Sequence, residues 1–324
     1  MNTAWLDRNQ VVLYVSAILV GCTLGWAVPS WSPLWEAAVT PLLVLVITLT
    51  FLGIPLAQLV GAVQDVRFLL VLLGVNFVVA PLCAVAISLL WTGDPGLRVG
   101  MLLVLLAPCI DYVVVFTARA GGDRVALLAA TPVLLLVQFL VIPLVLLGVL
   151  GGETVAQVDV GGFVSAFVWM IVTPLIAAAF LRAWAGRRAR IARALAVAET
   201  GMVPAMVLVL VAVSAAQFDV ILAHLDAVAT LIPGYVLFAV CMTAVAVLAS
   251  RRARLSVPKG RAVVFSAVTR NSLVILPIAL ALSETYPLAP AAVVCQTLVE
   301  LVLLAIMVEV VPRLLPDGSE RRTK

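Results

Sequence analysis

The sequence is poor in charged residues and nearly devoid of histidine. Only 11% of its 324 residues are charged and one is histidine, whereas soluble domains carry roughly 25% charged residues. Hydrophobic residues make up 65% of the chain, and the mean hydropathy is +1.24. Because a soluble fold cannot cover this much apolar surface, the composition predicts a membrane protein.

The chain also lacks the spacings of a metal or disulfide site. Its five cysteines all fall in apolar runs, and none belongs to a Cys-x-x-Cys pair. This pattern excludes a disulfide framework or a zinc knuckle, and we expect no cofactor. The one histidine, His224, lies in a short polar loop, which disfavours a histidine metal cluster or a Ser-His pair inside the membrane.

Long apolar runs, in contrast, are abundant. A transmembrane helix needs ~20 apolar residues, and ten runs meet this length. They lie near residues 10–28, 36–56, 68–91, 98–119, 125–150, 161–183, 200–218, 227–249, 261–282 and 289–312. We therefore predict an all-α polytopic membrane protein with ten transmembrane helices. The first run is followed by no signal-peptidase site, so we expect it to be retained.

The basic residues predict an orientation. With the N-terminus in the cytoplasm, 18 of the 20 lysines and arginines lie in cytoplasmic segments and only Arg98 lies in an outside segment. This bias agrees with the positive-inside rule and predicts a cell-membrane protein with both termini in the cytoplasm. The pI of 9.0 then reflects topology, so the expected partners are lipid and a small solute rather than nucleic acid. The oligomeric state stays open.

The ten runs divide into two sets of five. Residues 182–198 carry arginines at helical spacing among apolar residues, as is typical of an interfacial amphipathic helix. We predict a first repeat over residues 1–150 and a second over 151–324, with the basic linker near 182–198 and a short polar tail. Because five is odd, the second set would be inverted, as in many secondary transporters.

Spans four and nine are both interrupted. Pro108 has no N–H and disfavours helical geometry in the residue before it, so we expect a break near 107–110 and a restart around Asp111. In span nine, the stretch from Arg270 to Pro277 predicts a similar break, with Pro277 as its helix-breaking residue. We expect the two broken helices to cross at the membrane midplane.

Three ionisable residues lie deep in the predicted spans: Asp111, Arg270 and Glu300. Charges in lipid cost at least ~2.5 kcal/mol and mark functional sites by default. An acid beside Arg270 would form a buried pair that either serves a solute and protons or only locks helices together. Asp111 could also cap the second half-helix. The other break offers further capping side chains: Thr269, Asn271 and Ser272.

These motifs resemble those of the bile acid/sodium symporter superfamily and, within it, the arsenical resistance-3 arsenite permeases. The resemblance rests on three stretches: Ala107-Pro108-Cys109 followed by Gly122-Asp123, then Asn271-Ser272, and Leu298-Val299-Glu300. It implies a secondary transporter, not an enzyme, that exports arsenite or antimonite. In those permeases this cysteine is tied to arsenite transport, so Cys109 would contact the transported arsenite.

The chemistry of arsenite is compatible with this assignment. Near neutral pH arsenite is the uncharged acid As(OH)₃, and soft thiolate ligands select soft centres. Arg270 would favour the thiolate of Cys109, and Asp111 or Glu300 could exchange a proton for the substrate. We expect proton-linked efflux, with substrate binding by these residues: Cys109, Asp111, Arg270, Asn271 and Ser272.

The chain departs from the family pattern around span nine. Sodium-coupled members have a glutamate and a glutamine where this chain has Ser266 and Arg270, and a fixed cation repels sodium. The arsenite permeases have a glutamate where Leu273 stands, and Asp111 replaces a small neutral residue. A sodium-independent transporter of a small organic anion, with Arg270 as the counter-ion, therefore stays open.

Two interpretations from other classes have less support. An intramembrane hydrolase would need a Ser-His pair, two facing aspartates or a metal site, but Asp111 is the only aspartate deep in a span. A sensor or scaffold would be expected to carry a signalling domain, whereas the tail after Arg313 is short and polar.

Overall fold

The computed structural model describes residues 9–53, 65–90, 93–109, 112–157, 168–186 and 188–316. These residues are almost entirely helical, and their one β-type pairing is an isolated bridge. In chain order the helices are α1 (Gln10–Ala27), α2 (Ser32–Gly53), α3 (Val66–Ser88), α4 (Pro95–Leu106), α5 (Val113–Arg119), α6 (Arg124–Gln157), α7 (Thr173–Ala185), α8 (Ala189–Glu199), α9 (Met202–Ala216), α10 (Phe218–Ala223), α11 (Leu225–Ala229), α12 (Ile232–Arg252), α13 (Val257–Val268), α14 (Ser272–Ala281) and α15 (Ala289–Leu314). The predicted all-α class is confirmed.

Several helices are long and apolar enough to cross a membrane. Among the described residues there are five such helices, or six if the bent pair Arg190–Ala198 and Met202–Ala216 forms one span. A polytopic membrane protein is thereby confirmed, while the number ten stays a prediction. One reason for the lower count is physical: a 12-residue half-helix such as α4 rises only about 18 Å, less than the ~30 Å hydrocarbon core.

The helices pack in two sets. In one set, α9 packs against α1 and α2, and α7 packs against α2. In the other, α3, α4, α12, α13, α14 and α15 pack around one another, with α5 and α6 against α13. The two sets touch where α14 meets α2 and α15 meets α1. Both interrupted segments belong to the second set.

The predicted break in span four is confirmed. Helix α4 begins with Asp94, whose side chain accepts a hydrogen bond from the Leu97 N–H at 3.0 Å, and it ends at Leu106. Ala107, before Pro108, is extended with φ −100° and ψ 108°, as expected before proline. The chain is helical again from Val113.

Asp111 lies outside the described residues, so its predicted roles as a cap, a proton carrier and a substrate ligand stay predictions.

Span nine is also broken, but not at Pro277. Helix α13 ends at Val268, and Thr269 is extended with φ −78° and ψ 138°. Asn271 then caps α14, since its side-chain oxygen accepts from the Val274 N–H at 3.1 Å. The assignment of Pro277 as a helix break is wrong, because α14 continues through it. Proline removes one hydrogen bond there, whereas the break itself depends on the residues before Asn271.

The basic linker is not one continuous helix over 182–198. Helix α7 extends to Ala185 and has Gly186 as its C-cap, and Arg188 is extended with φ −140° and ψ 109° before α8 begins. Arg182 therefore belongs to α7, where its Nε donates to the Leu52 carbonyl. The assignment of 1–150 and 151–324 as two repeats stays a prediction.

A glycine allows α4 to approach α15 closely. A Cβ atom on Gly100 would lie 2.4 Å from the Ala289 carbonyl oxygen and 2.8 Å from the Ala292 Cβ. Small residues let helix backbones approach in this way in membranes. This contact places the first broken helix directly against the helix that carries Glu300.

Candidate functional site

The two helix breaks pair with each other. The Cys109 N–H donates to the Thr269 carbonyl at 3.1 Å, and the Asn271 N–H donates to the Ala107 carbonyl at 2.8 Å. Pro108 and Arg270 therefore face each other in a short antiparallel bridge. Irregular backbone inside a membrane protein must find such partners, because lipid offers none. The predicted crossing of the two broken helices is thus present.

Glu300 is the hub of a buried hydrogen-bond cluster beside this crossing. Its Oε1 accepts from the Tyr112 hydroxyl at 2.7 Å, and its Oε2 accepts from the Arg270 backbone N–H at 2.7 Å and from the Gln296 amide. Its carboxylate is almost fully buried. Three donors on two oxygens offset the desolvation of a buried carboxylate.

The Arg270 side chain is fully buried, contacts Asn76 and Phe238, and has a charge that interacts with Glu300. Its Nη2 lies 3.3 Å from Asn76 Oδ1 and also donates to the Ala267 carbonyl. Its Cζ lies 4.9 Å from the centre of the Phe238 ring, within cation–π range. No carboxylate of the described residues forms an ion pair with it, so Glu300 meets the Arg270 backbone rather than its guanidinium.

The Arg270 guanidinium is only partly satisfied. Its Nε and Nη1 have no hydrogen-bond partner among the described residues, and neither has the Asn271 Nδ2. A buried donor without a partner costs about 1–3 kcal/mol. The crossing therefore has spare donors and is suited to a solute or water that offers oxygen acceptors.

Cys109 is buried at the crossing, with 1% of its surface exposed. The charge of Arg270 interacts with its thiol and with the thiol of Cys83 on α3. A soft sulfur ligand and a fixed cation thus lie in the same buried region.

A small cavity adjoins the site where the two helix sets meet. Its volume is about 10 Å³, room for about one water molecule. Ser272 of α14, Ser214 of α9 and Thr297 of α15 contribute polar groups to a mostly apolar lining. The Ser272 hydroxyl also donates to Gln296 Oε1 at 2.8 Å, which connects the cavity to Glu300.

Five of the predicted site residues are therefore close to one another: Cys109, Arg270, Asn271, Ser272 and Glu300. Asn271 serves as a helix cap, as the sequence indicated for this break, but Ser272 bonds to Gln296 instead. Pro108 sits in the bridge, whereas Pro277 takes no part in it.

Sequence reasoning missed four contact residues: Asn76, Tyr112, Phe238 and Gln296. Asn76 is fully buried, and its amide donates to the Leu72 carbonyl and to the Ser266 hydroxyl. Asn76 could have been found as a polar residue in a long apolar run. Gln296 could have been found because it lies one helical turn before Glu300. Phe238 and Tyr112 carry no comparable signal, because aromatic residues are common in apolar helices.

The described residues contain no group of three or more His, Cys, Asp or Glu side chains that could hold a metal ion. The site is made of hydrogen-bonding groups, one thiol and one cation. Such a site can bind and release a small polar solute between two sets of helices.

A comparison with protein-family models identifies the family of the chain. The model of the sodium bile acid symporter family matches residues 40–224, which is more than half of the chain. The chain belongs to this family. Its members are transporters, not enzymes, so this symporter-family chain is a multi-pass membrane transporter of a small solute. No curated protein matches the chain.

The matched residues cover only part of the site. They include the bridge segment with Pro108 and Cys109, as well as Asn76, whereas Arg270, Asn271 and Glu300 lie beyond residue 224. The match therefore covers only one of the two segments that pair at the crossing.

Proposed function

We propose that this chain exports arsenite, or the related antimonite, from the cytoplasm, as the arsenical resistance-3 permeases do. The observation that carries the proposal is the burial of Cys109 at the crossing, where its backbone is paired to Thr269 and its thiol interacts with the Arg270 charge. Trivalent arsenic is a soft centre that prefers thiolate sulfur. A single thiol binds it reversibly, as transport requires.

We propose protons as the coupling ion. Glu300 is buried, and its three donors form a site that can change its hydrogen-bond pattern when the carboxylate takes up a proton. The link from Glu300 through Gln296 to Ser272 leads to the cavity between the helix sets. Asp111 remains the second proposed proton carrier.

The surroundings of Arg270 support sodium independence. Arg270 and Ser266 stand where sodium-coupled members have a glutamine and a glutamate, and Asn76 hydrogen-bonds to both of them. The guanidinium thus places a permanent positive charge at these two positions. A sodium ion there would meet direct repulsion.

The proposed architecture is a pair of inverted repeats of five spans each, inserted in the cell membrane with both termini in the cytoplasm. A shift of 162 residues takes Pro95–Leu106 onto Val257–Val268 and takes the bridge residue Pro108 onto Arg270. The two bridge hydrogen bonds follow the same shift. Moving the donor Cys109 forward and the acceptor Thr269 backward by this number gives Asn271 and Ala107, the donor and acceptor of the other bond. This internal correspondence is what an inverted repeat would produce.

Arsenic accumulation in a bacterial strain without its own arsenite exporters tests the proposal. Cells expressing the wild type should accumulate less arsenic than empty cells, and Cys109→Ala should abolish this difference at equal membrane levels. Cys295→Ala is the matched control, since Cys295 is also buried but lies on α15 away from the bridge. Unchanged arsenic with the wild type, or an active Cys109→Ala variant, would overturn the proposal.

A second candidate is favoured by the unpartnered Nε and Nη1 of Arg270. Each of these donors could form a charge-assisted hydrogen bond to a carboxylate oxygen of a small organic anion. This function predicts that Arg270→Gln abolishes anion counterflow in proteoliposomes while Cys109→Ala does not. Arg313→Gln is the control, because the Arg313 side chain is 79% exposed.

A further inference from the structure

A dense group of arginines surrounds the turn between α7 and α8. Five arginines lie within residues 182–193, and no acidic residue lies between positions 181 and 198. The side chains of Arg188, Arg190 and Arg193 are exposed. None of these three forms an ion pair with a carboxylate in the part of the chain that the structure describes, so the protein itself does not neutralise their charges.

The end of α7 presents aromatic surface next to these charges. Trp184 is 49% exposed, and the Arg188 Cζ lies 5.4 Å from the centre of the Trp184 ring, within cation–π range. Phe180 is 76% exposed and stands one turn before Trp184 on the same face of α7. Tryptophan is typical of the membrane–water interface, where its apolar ring and its polar N–H both find partners. This helix end is therefore suited to the boundary between lipid chains and headgroups.

Helix α8 has an inner and an outer face. Ile191 and Leu195 are half-buried on the inner face, where α8 packs against α2 and α7. Arg190, Arg193 and Val197 follow one another at spacings of three and four residues, which places them together on the outer face. Val197 is 70% exposed. Positive charge and exposed apolar surface therefore lie side by side on this helix as well.

We infer that this surface binds an anionic phospholipid of the adjoining membrane leaflet. The surface, termed the arginine face, consists of Phe180, Trp184, Arg188, Arg190, Arg193 and Val197. Guanidinium groups donate charge-assisted hydrogen bonds to phosphate oxygens, and the apolar side chains contact the acyl chains. A zwitterionic phospholipid lacks the net negative charge and free phosphate lacks the apolar part, so an anionic phospholipid is the partner that matches both halves of the surface.

A lipid bound to the arginine face connects two helices that pack on the same neighbour. Helices α7 and α8 both contact α2, and a short turn that begins at Gly186 separates them. A ligand that binds both helix ends in the folded chain also stabilises that chain. The inference concerns the membrane and not the transported solute, so it does not depend on the proposed function.

Native mass spectrometry of the purified full chain in a neutral detergent tests the arginine face, with phosphatidylglycerol and phosphatidylcholine as the probes. We expect the wild type to bind phosphatidylglycerol more tightly than phosphatidylcholine. Each basic residue near an anionic lipid contributes about 5-fold in binding, so the combined variant Arg188→Gln, Arg190→Gln and Arg193→Gln should bind phosphatidylglycerol about 100-fold more weakly. Trp184→Leu should bind it about 3-fold more weakly, because leucine keeps the apolar contact but offers no ring to Arg188.

A second combined variant is the matched control. It removes the same number of charges at other helix ends through Arg252→Gln, Arg254→Gln and Arg313→Gln, whose side chains are exposed as well. This variant should bind phosphatidylglycerol as the wild type does. Gel filtration and helicity confirm that each variant is folded. Raising the salt from about 0.05 M to about 0.5 M screens exposed charges and should weaken the binding of phosphatidylglycerol to the wild type, a test that needs no variant.

Three results would overturn the inference. The first is equal binding of phosphatidylglycerol by the wild type and by the folded variant that lacks Arg188, Arg190 and Arg193. The second is equal binding of the two lipids by the wild type, or an equal loss of binding in the control variant, since either means that lipid binds without regard to the arginine face. The third is displacement of phosphatidylglycerol by inorganic phosphate, which would mean that the arginines recognise a free anion and not a lipid.

Discussion

Glu300 holds Arg270 by its backbone and not by its side chain. The Arg270 N–H donates to Glu300 Oε2 at 2.7 Å, while the guanidinium extends toward Asn76 and Phe238. The Arg270 N–H is available because α13 has ended at Val268, so the carboxylate stabilises the helix break itself. The direct contact between the acid and the base is therefore made through the Arg270 backbone, while their two charges interact without an ion pair.

The contact between Glu300 and the Arg270 backbone predicts different results for two substitutions of Glu300. Glu300→Gln keeps the shape of the side chain. Its amide oxygen can still accept from the Arg270 N–H and from Gln296, and its amide nitrogen would face the Tyr112 hydroxyl. The thermal stability should therefore change little. Glu300→Ala leaves a buried backbone N–H without a partner and should cost about 1–3 kcal/mol. Thermal unfolding in detergent measures both.

Transport distinguishes the coupling role from the structural one. If Glu300 carries the coupled proton, Glu300→Gln should lose most proton-driven efflux in everted vesicles despite normal stability. Glu309→Gln is the control, since that side chain is 75% exposed. Full proton-driven efflux by Glu300→Gln would remove Glu300 from the coupling mechanism.

Asn271 gives a prediction about the helix cap at the crossing. Its side chain accepts from the Val274 N–H at 3.1 Å, and loss of an N-cap costs about 0.5–2 kcal/mol. Asn271→Ala should lower the melting temperature, whereas Asn271→Ser should retain most of the stability because serine caps nearly as well. Equal melting temperatures for the two variants would contradict this role.

The crossing itself was predictable from the sequence, because Pro108 acts locally. A proline without an N–H and a polar cluster inside an apolar run give signals that depend on only a few neighbouring residues. The break at Thr269 and Arg270 has only the polar cluster as a signal, since neither residue prevents a helix. It exists because Ala107 and Cys109, far away in the sequence, pair with Asn271 and Thr269, and this is why Pro277 was the wrong residue to choose.

The sequence identifies Arg270 and Glu300 as site residues more readily than it identifies the residues that they contact. Arg270 and Glu300 stand out in an apolar chain because burying charge is costly, so the sequence identifies them as site residues. Which atom of Arg270 meets Glu300 depends on how the backbone unwinds, and the contacts of the Arg270 guanidinium with Asn76 and Phe238 depend on how α3 and α12 pack. These are properties of the assembled helices and leave no local pattern.

Gly100 gives a prediction about the packing of α4 on α15. An added Cβ would lie 2.4 Å from the Ala289 carbonyl oxygen, so Gly100→Ala should push the two helices apart and lower the melting temperature. Gly74→Ala is the matched control, because a Cβ there meets nothing within 4 Å and alanine is the better helix former. A melting temperature for Gly100→Ala as high as that of Gly74→Ala would show that the helices can separate at no cost.

Asp65 and Lys259 form an ion pair outside the membrane-spanning segments and predict a pH dependence. The hydrogen bond from Lys259 and that from the Phe68 N–H lower the pKa of Asp65, and the hydrogen bond to Asp65 raises the pKa of Lys259. The stability that Asp65 contributes is thus present above its unfolded pKa, near 4, and is lost as the pH falls through its lower folded value. The contribution of Lys259 is present below about pH 10 and is lost as the pH rises through its higher folded value.

Asp65→Asn measures this contribution, because asparagine keeps the cap on the Phe68 N–H and removes only the charge. Both side chains are about one-third exposed, so solvent screens the pair and its effect should be at most about 1 kcal/mol. We expect the melting temperature of the wild type to exceed that of Asp65→Asn by a constant amount between about pH 5 and 9, and the difference to shrink as the pH falls below about 4 and through the lowered folded pKa of Asp65. The exposed pair Arg313 and Glu309, at 4.0 Å, is the control, and Glu309→Gln should show no such difference at any pH. A difference for Asp65→Asn that does not shrink as the pH falls below about 4 would mean that the substitution acts through the helix cap and not through the ion pair with Lys259.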